Sequence, residues 1–300
     1  MILPDLAELL ALRGAAQGLN LRAHRPALAR LQGGHRSAQR GRGLEFEEVR
    51  LYAPGDDARS IDWRVTARRG KPHTKLFRED RERPVWLLAD LHPGMFFGSR
   101  RQLKSALLLR AAALLGWTAV LGGDRLGAVI AKGGAEPHVL PPRGRQSGVL
   151  PVLQALIEEQ PRAPGQPLPG SLTQGVITLR RLAQPGAVML ILSDFAGLDE
   201  AARTALAGLA ARCDCRLIWI ADPLEMAGLP AGDYRIGVPG RLRWLDGERS
   251  RKTWQSAWSG REQALRDSAR EFNLPLTRLD TPDEVREVLP PLLREPAWAA

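Results

Sequence analysis

From Pro84 onward, short apolar runs alternate with longer segments of helical spacing. Val85–Ala89, Val188–Leu192 and Leu217–Ala221 are nearly all apolar and partly β-branched or aromatic. That is the composition of strands buried on both faces of a parallel sheet. Helices are predicted near 100–119, 145–159, 173–184 and 199–213. The alternation predicts βαβ units and an α/β fold with a doubly wound, mostly parallel sheet. A further strand, Leu274–Leu279, precedes a last helix. Thr281 is its predicted N-cap, with Pro282 first, Glu284 completing a capping box, and Pro290-Pro291 as its stop. Asp124–Ile130 and His138–Leu140 flank Gly133-Gly134 and read as a hairpin. Arg235–Val238 and Leu242–Leu245 read as a second one, inserted near 233–247.

Before Pro84 the pattern differs. Residues 1–40 read as helical and basic, with a flexible stretch at Gly33–Gly43. Residues 44–52 and 72–80 are β-prone arms around a polar loop, where Pro54-Gly55-Asp56 is a turn signal. Phe46, Tyr52, Trp63 and Phe77 recur among the charges. Solvated charge runs lack such aromatics, so this segment is expected to fold. The division expected is an N-terminal helical segment and β-rich arm over 1–83, then an α/β domain over 84–300.

Three hundred residues with a 44% hydrophobic fraction suffice for a substantial core. The longest apolar run, Ala106–Val120, is broken by Arg110 and Gly116, so no membrane span is expected. The N-terminus carries early acids and no basic leader, which points to a cytoplasmic protein. Cys213 and Cys215 are one residue apart, a geometry that disfavours a disulfide, and Cys213 extends the helical series Ala202, Leu206, Leu209. Both cysteines are expected in the core. The net charge is +10, but only five of 43 basic residues are lysines. That skew reflects a GC-rich genome more than a phosphate-binding face, and nucleic acid is not the expected partner.

Enzyme signatures are missing. There is no phosphate loop, no third glycine after Gly41-Arg42-Gly43, and no G-x-S-x-G elbow. The histidines (His24, His35, His73, His92, His138) are scattered. What remains is at the strand ends: Asp90, Asp194 after Ser193, and Asp222 each close an apolar run. Ligands bind beyond the carboxyl ends of strands in such sheets, and two converging carboxylates suit Mg²⁺.

Gly55-Asp56-Asp57, Arg59, Ile61-Asp62-Trp63, Thr66-Ala67-Arg68 and Phe77-Arg78-Glu79 resemble the signature of the Domain of Unknown Function 58 family. The resemblance is dense over 41–98. It implies a von Willebrand factor A-like domain, which binds a divalent cation through D-x-S-x-S after the first strand, a later threonine and a last aspartate. Asp90 and Asp194 match the two aspartates. Thr173 is the match to the threonine, with Ser171 competing for the role. His92 and Gly94 stand at the two serine positions, so a degenerate site follows, with no cofactor required and Mg²⁺ bound weakly at most.

In the arm, Asp56, Asp57 and Asp62 are expected to pair with Arg50, Arg59, Arg64 or Arg68, and Trp63 to be buried. Arg59 and Arg68 are expected to be exposed and protein-binding. The resemblance implies a MoxR-type AAA+ ATPase as partner and a non-catalytic adaptor role toward an unknown client. The alternatives are a metal-assisted hydrolase using Asp90, His92 and Asp194, and a basic nucleic-acid-binding module.

Overall fold

A computed structural model describes residues 3–21, 44–53, 61–79, 82–166, 168–238 and 240–294. Its contacts divide the chain into two compact units, Met1–Gly34 with Arg83–Ala300, and His35–Glu82.

The smaller unit pairs strand β1 (Leu44–Leu51) antiparallel with β2 (His73–Glu79), with an irregularity between Phe46 and Glu48. These are the two β-prone arms. Between them lies the short helix α2 (Trp63–Arg69). The helix is tied to β2 where His73 N donates to Thr66 Oγ1 at 3.0 Å and Asp62 N donates to His73 O at 2.8 Å.

The larger unit is built on β3 (Pro84–Asp90), β4 (Arg125–Ala131), β5 (His138–Gly144), β6 (Val188–Ser193), β7 (Asp214–Ala221) and β10 (Leu276–Asp280). Their order is β10-β7-β6-β3-β4-β5, parallel throughout except for β5 against β4. The three apolar runs of the sequence are thus the adjacent strands β3, β6 and β7. Every residue of β3 and β6 is buried.

Alternate side chains leave the strands in opposite directions. Leu87, Ala128, Leu190 and Ile220 join one core with α1 (Leu6–Ala15), α3 (Lys104–Leu121), α4 (Gln146–Glu159) and α9 (Val285–Arg294). Leu88, Val129, Ile191 and Trp219 join the other with α5 (Ser171–Leu182), α6 (Glu200–Ala210) and α8 (Gly247–Glu271). Helices on both faces make the sheet doubly wound. Both cysteines are free and buried in the second core, and burial pushes the Cys213 thiol up to about 11.

Four expectations are corrected. First, α1 does not group with the arm. It buries Leu9 and Leu12 in the first core, and Trp117 Nε1 of α3 donates to Leu9 O at 3.2 Å. Second, α3 does have the length and composition to cross a membrane, because Lys104 to Leu121 form one uninterrupted 18-residue helix. It lies 83% buried inside the larger unit, where Arg110 is paired with Glu8 and Gln102.

Third, residues Gly247–Glu271 form a 25-residue helix, α8, that the hydrophobic pattern does not predict. Its composition is polar, but Trp258, Leu265 and Ala269 form a narrow buried stripe at helical spacing. Trp258 stacks on Trp219 of β7 with centroids 5.4 Å apart. Asp246 caps it, accepting from Glu248 N at 2.9 Å and Arg249 N at 3.0 Å. The segment before it is the predicted hairpin, β8 (Asp233–Val238) with β9 (Arg241–Asp246). Fourth, α9 begins at Val285 and contains Pro290 and Pro291. Thr281 caps nothing there; its hydroxyl donates to Asp222 Oδ2 at 2.6 Å. Burial of Val285, Leu289 and Leu293 holds the helix despite the two missing donors.

Candidate functional site

Asp90 ends β3, and Asp194 follows the last residue of β6, the neighbouring strand. The sheet therefore brings both to one edge. One oxygen of each carboxylate and one ring nitrogen of His92 lie within 4.8 Å of one another.

Asp90 is 1% exposed. Its Oδ1 accepts from Ser171 Oγ and its Oδ2 from Ser193 Oγ, each at 2.6 Å. Ser171 opens α5 and Ser193 closes β6, so the carboxyl links a helix to the sheet. Burial and the charge of Asp194 raise the Asp90 pKa against His92 and the two hydroxyls.

The turn after β6 is set by side chain to backbone bonds. Phe195 N donates to Ser193 Oγ at 2.9 Å, and Ala196 N to Asp194 Oδ1 at 3.0 Å. Phe195 takes a positive φ of 53°, which aims its ring into the second core. His92 precedes the turn Pro93–Met95, and Gly94 N donates to its Nδ1 at 3.1 Å. In the neutral ring the proton is therefore on Nε2, 3.2 Å from Asp194 Oδ1. Burial opposes protonation of His92, but the bond and charge of Asp194 outweigh it and raise its pKa.

The remaining partner is Lys104, the first residue of α3 and 2% exposed. Its Nζ donates to Asp194 Oδ2 at 2.8 Å and to Glu225 Oε1 at 2.7 Å. It also lies 5.8 Å from the centroid of the Phe97 ring. Burial disfavours the ammonium, yet the two carboxylates raise its pKa and keep it charged. Burial likewise works against the Asp194 anion, but Lys104 and His92 hold it well below the usual carboxylate range. Glu225 is raised, because its burial outweighs the pull of Lys104.

Glu225 is delivered by the short helix α7 (Pro223–Ala227), whose capping box it completes. Its Oε2 accepts from Asp222 N at 3.2 Å. Asp222 itself, the third strand-end aspartate, takes Leu224 N, Ser99 N, and the hydroxyls of Ser99 and Thr281. It staples loops and is not part of the Asp90–Asp194 cluster.

Sequence and structure differ at several residues. Ser171, not Thr173, reaches Asp90; the Thr173 hydroxyl donates to Asp199 Oδ2 at 2.9 Å, the residue that caps α6. Trp63, expected to be buried, is 70% exposed. It is the first residue of α2, and that helix buries none of its residues. Asp62 caps α2, accepting from Arg64 N at 3.0 Å and Val65 N at 3.1 Å. Arg68 is exposed on the same helix. Gly55, Asp56, Asp57 and Arg59 lie outside the described residues. The sequence pattern gives Lys104, Ser193 and Glu225 no role. The one available signal is a lysine heading a long apolar helix in a chain where only five of 43 basic residues are lysines.

Asp90, His92 and Asp194 have the spacing of a metal centre, but the donors present do not fit Mg²⁺. Both Asp90 oxygens take short hydroxyl bonds. Asp194 Oδ2 is held by an ammonium, and His92 turns its N–H toward Oδ1. A divalent ion there would displace these bonds and sit beside a positive charge.

A family model described as "Protein of unknown function DUF58" matches residues 48–261. Uncharacterized proteins of Mycobacterium tuberculosis and Mycobacterium bovis are each 36% identical over 203 residues. Those alignments cover 68% of this chain, which spans 63% of the length of the relatives. Among solved structures, an aerotolerance-related membrane protein from Bacteroides fragilis is 15% identical with a TM-score of 0.47, covering 71% of this chain and 98% of that one. A conserved hypothetical protein BatB from Bacteroides thetaiotaomicron is 14% identical with a TM-score of 0.45, covering 69% and 95%.

Proposed function

The chain belongs to the DUF58 family, and from that premise we propose that it is a non-catalytic adaptor serving a MoxR-type AAA+ ATPase. The ATPase supplies the energy, and this chain recognises a client protein or completes a chaperone-like assembly in the cytoplasm. We read the larger unit as von Willebrand factor A-like, because helices flank both faces of a mostly parallel sheet and Asp90 and Asp194 share one strand-end edge.

The observation that carries the reading is α2. A tryptophan 70% exposed sits at the start of a capped helix with Arg64, Arg68 and Arg69, and the helix buries no residue. Leaving that much aromatic surface in water is unfavourable for the free protein. Trp and Arg are also the residues most enriched where partners bind. The crevice supports the same reading: both Asp194 oxygens, which a metal-assisted hydrolase would need for its ion, are already engaged by Lys104, His92 and Ala196 N.

The test is a binding titration against the purified MoxR-type ATPase of the same organism. The parent binds, and Trp63→Ala and Arg68→Glu each weaken binding about tenfold or more, as expected for hot-spot residues. No binding by the parent, or equal binding by all three, overturns the proposal.

A further inference from the structure

We infer that the Lys104 ammonium is the resident cation of the strand-end crevice, built into the chain where Asp194 and Glu225 converge and making the site independent of divalent metal.

Four observations carry this. Lys104 approaches from α3, whereas its two carboxylates arrive from the turn after β6 and from α7, so the meeting point is made by the fold. The free oxygens of both partners are already occupied: Asp194 Oδ1 by Ala196 N and His92, Glu225 Oε2 by Asp222 N. Each carboxylate therefore presents one oxygen to the ammonium, as ligands present oxygens to an ion. A lysine is almost never fully buried unless paired, and this one is 2% exposed with two anions within 2.8 Å. Finally, the residue type suits the task. The chain carries 43 basic residues of which five are lysines, yet this position holds a lysine. A compact point charge fits between two converging carboxylates, whereas the planar guanidinium fork of arginine demands bidentate geometry. Phe97 closes the remaining side, with Nζ 5.8 Å from its ring centroid.

Removing the ammonium should turn the site into an ordinary cation site. The experiment compares chelator-treated parent and Lys104→Ala by calorimetric titration and thermal melting with Mg²⁺ and Mn²⁺. The parent should bind neither ion at the crevice, and its melting temperature should not move. Lys104→Ala should melt lower, bind Mn²⁺ about a hundredfold or more tighter than the parent, and regain stability on adding it. Asp194→Asn in the Lys104→Ala background should abolish that rescue. If Lys104→Ala folds neither with nor without Mn²⁺, Lys104→Gln, which keeps two N–H donors without the charge, takes its place in the same titration. Divalent-ion binding by the parent that Asp194→Asn removes overturns the inference. So does a folded Lys104 variant whose stability ignores both ions.

Discussion

Lys104 and Asp194 are 90 residues apart in sequence, and their Nζ and Oδ2 atoms are 2.8 Å apart in the fold. Two buried charges so placed form a unit, and removing either leaves the other stranded. Lys104→Met and Asp194→Asn should each cost about 3–5 kcal/mol, the range for breaking a buried ion pair. The double variant should cost less than the sum, with a coupling of about 1–3 kcal/mol. Urea denaturation in the presence of chelator measures all three; strict additivity would show that the pair is not coupled.

Acid should dissolve the same unit. The folded Asp194 pKa lies well below its ordinary 3.8, so its contribution is present above that value and is lost as pH falls toward the folded one. The His92 pKa is raised above 6.5, so its contribution is present below 6.5 and fades as pH rises through the folded value. The melting-temperature gap between parent and Asp194→Asn should therefore widen slightly from alkaline pH to about pH 6, then close below about pH 4. A gap that does not change with pH would contradict the assignment of charge to these groups.

Ser171 and Thr173 are two residues apart on α5 and should behave differently. Ser171→Ala strips one of two donors from the buried Asp90 carboxyl and should cost about 1–3 kcal/mol, the penalty for an unsatisfied buried polar group. Thr173→Val loses only a bond to the α6 cap Asp199 and should cost about 0.5–1.5 kcal/mol. Chemical denaturation of the two variants side by side decides; a larger loss for Thr173→Val would return Thr173 to the site.

Two tryptophans give a second contrast. Trp63→Ala should change stability by no more than about 0.5 kcal/mol, as exposed substitutions do. Trp219→Ala removes a buried ring stacked on Trp258 and should cost about 3–5 kcal/mol. Melting curves of the two separate a surface role from a packing role, and a large loss from Trp63→Ala would restore the burial expected from the sequence.

Local pattern was enough for the sheet. Val85–Ala89, Val188–Leu192 and Leu217–Ala221 are strands because short, nearly uniform apolar runs can be satisfied only between two layers of helices. Asp90, Asp194 and Asp222 were legible as strand-end carboxylates for the same reason: each is the first charged residue after such a run. Helix α8 was not legible, since its buried stripe of Trp258, Leu265 and Ala269 is narrow and the rest of its surface is polar.

The sequence by itself determined the layered architecture and two of the crevice carboxylates, because hydrophobic period and strand order along the chain are local properties. It could not choose between Ser171 and Thr173. Residues two apart on one helix point in nearly opposite directions and reach different neighbours, and which neighbour is which depends on how α5 lies on the sheet. Nor could it place Trp63, whose exposure follows from its position at a capped helix start and not from its hydrophobicity. Above all, it could not show that Lys104 belongs to Asp194 and Glu225. That partnership exists only because α3 starts where the turn after β6 and the cap of α7 converge. Electrostatic pairing acts over a few ångströms in space, and only the tertiary fold decides which residues are that close.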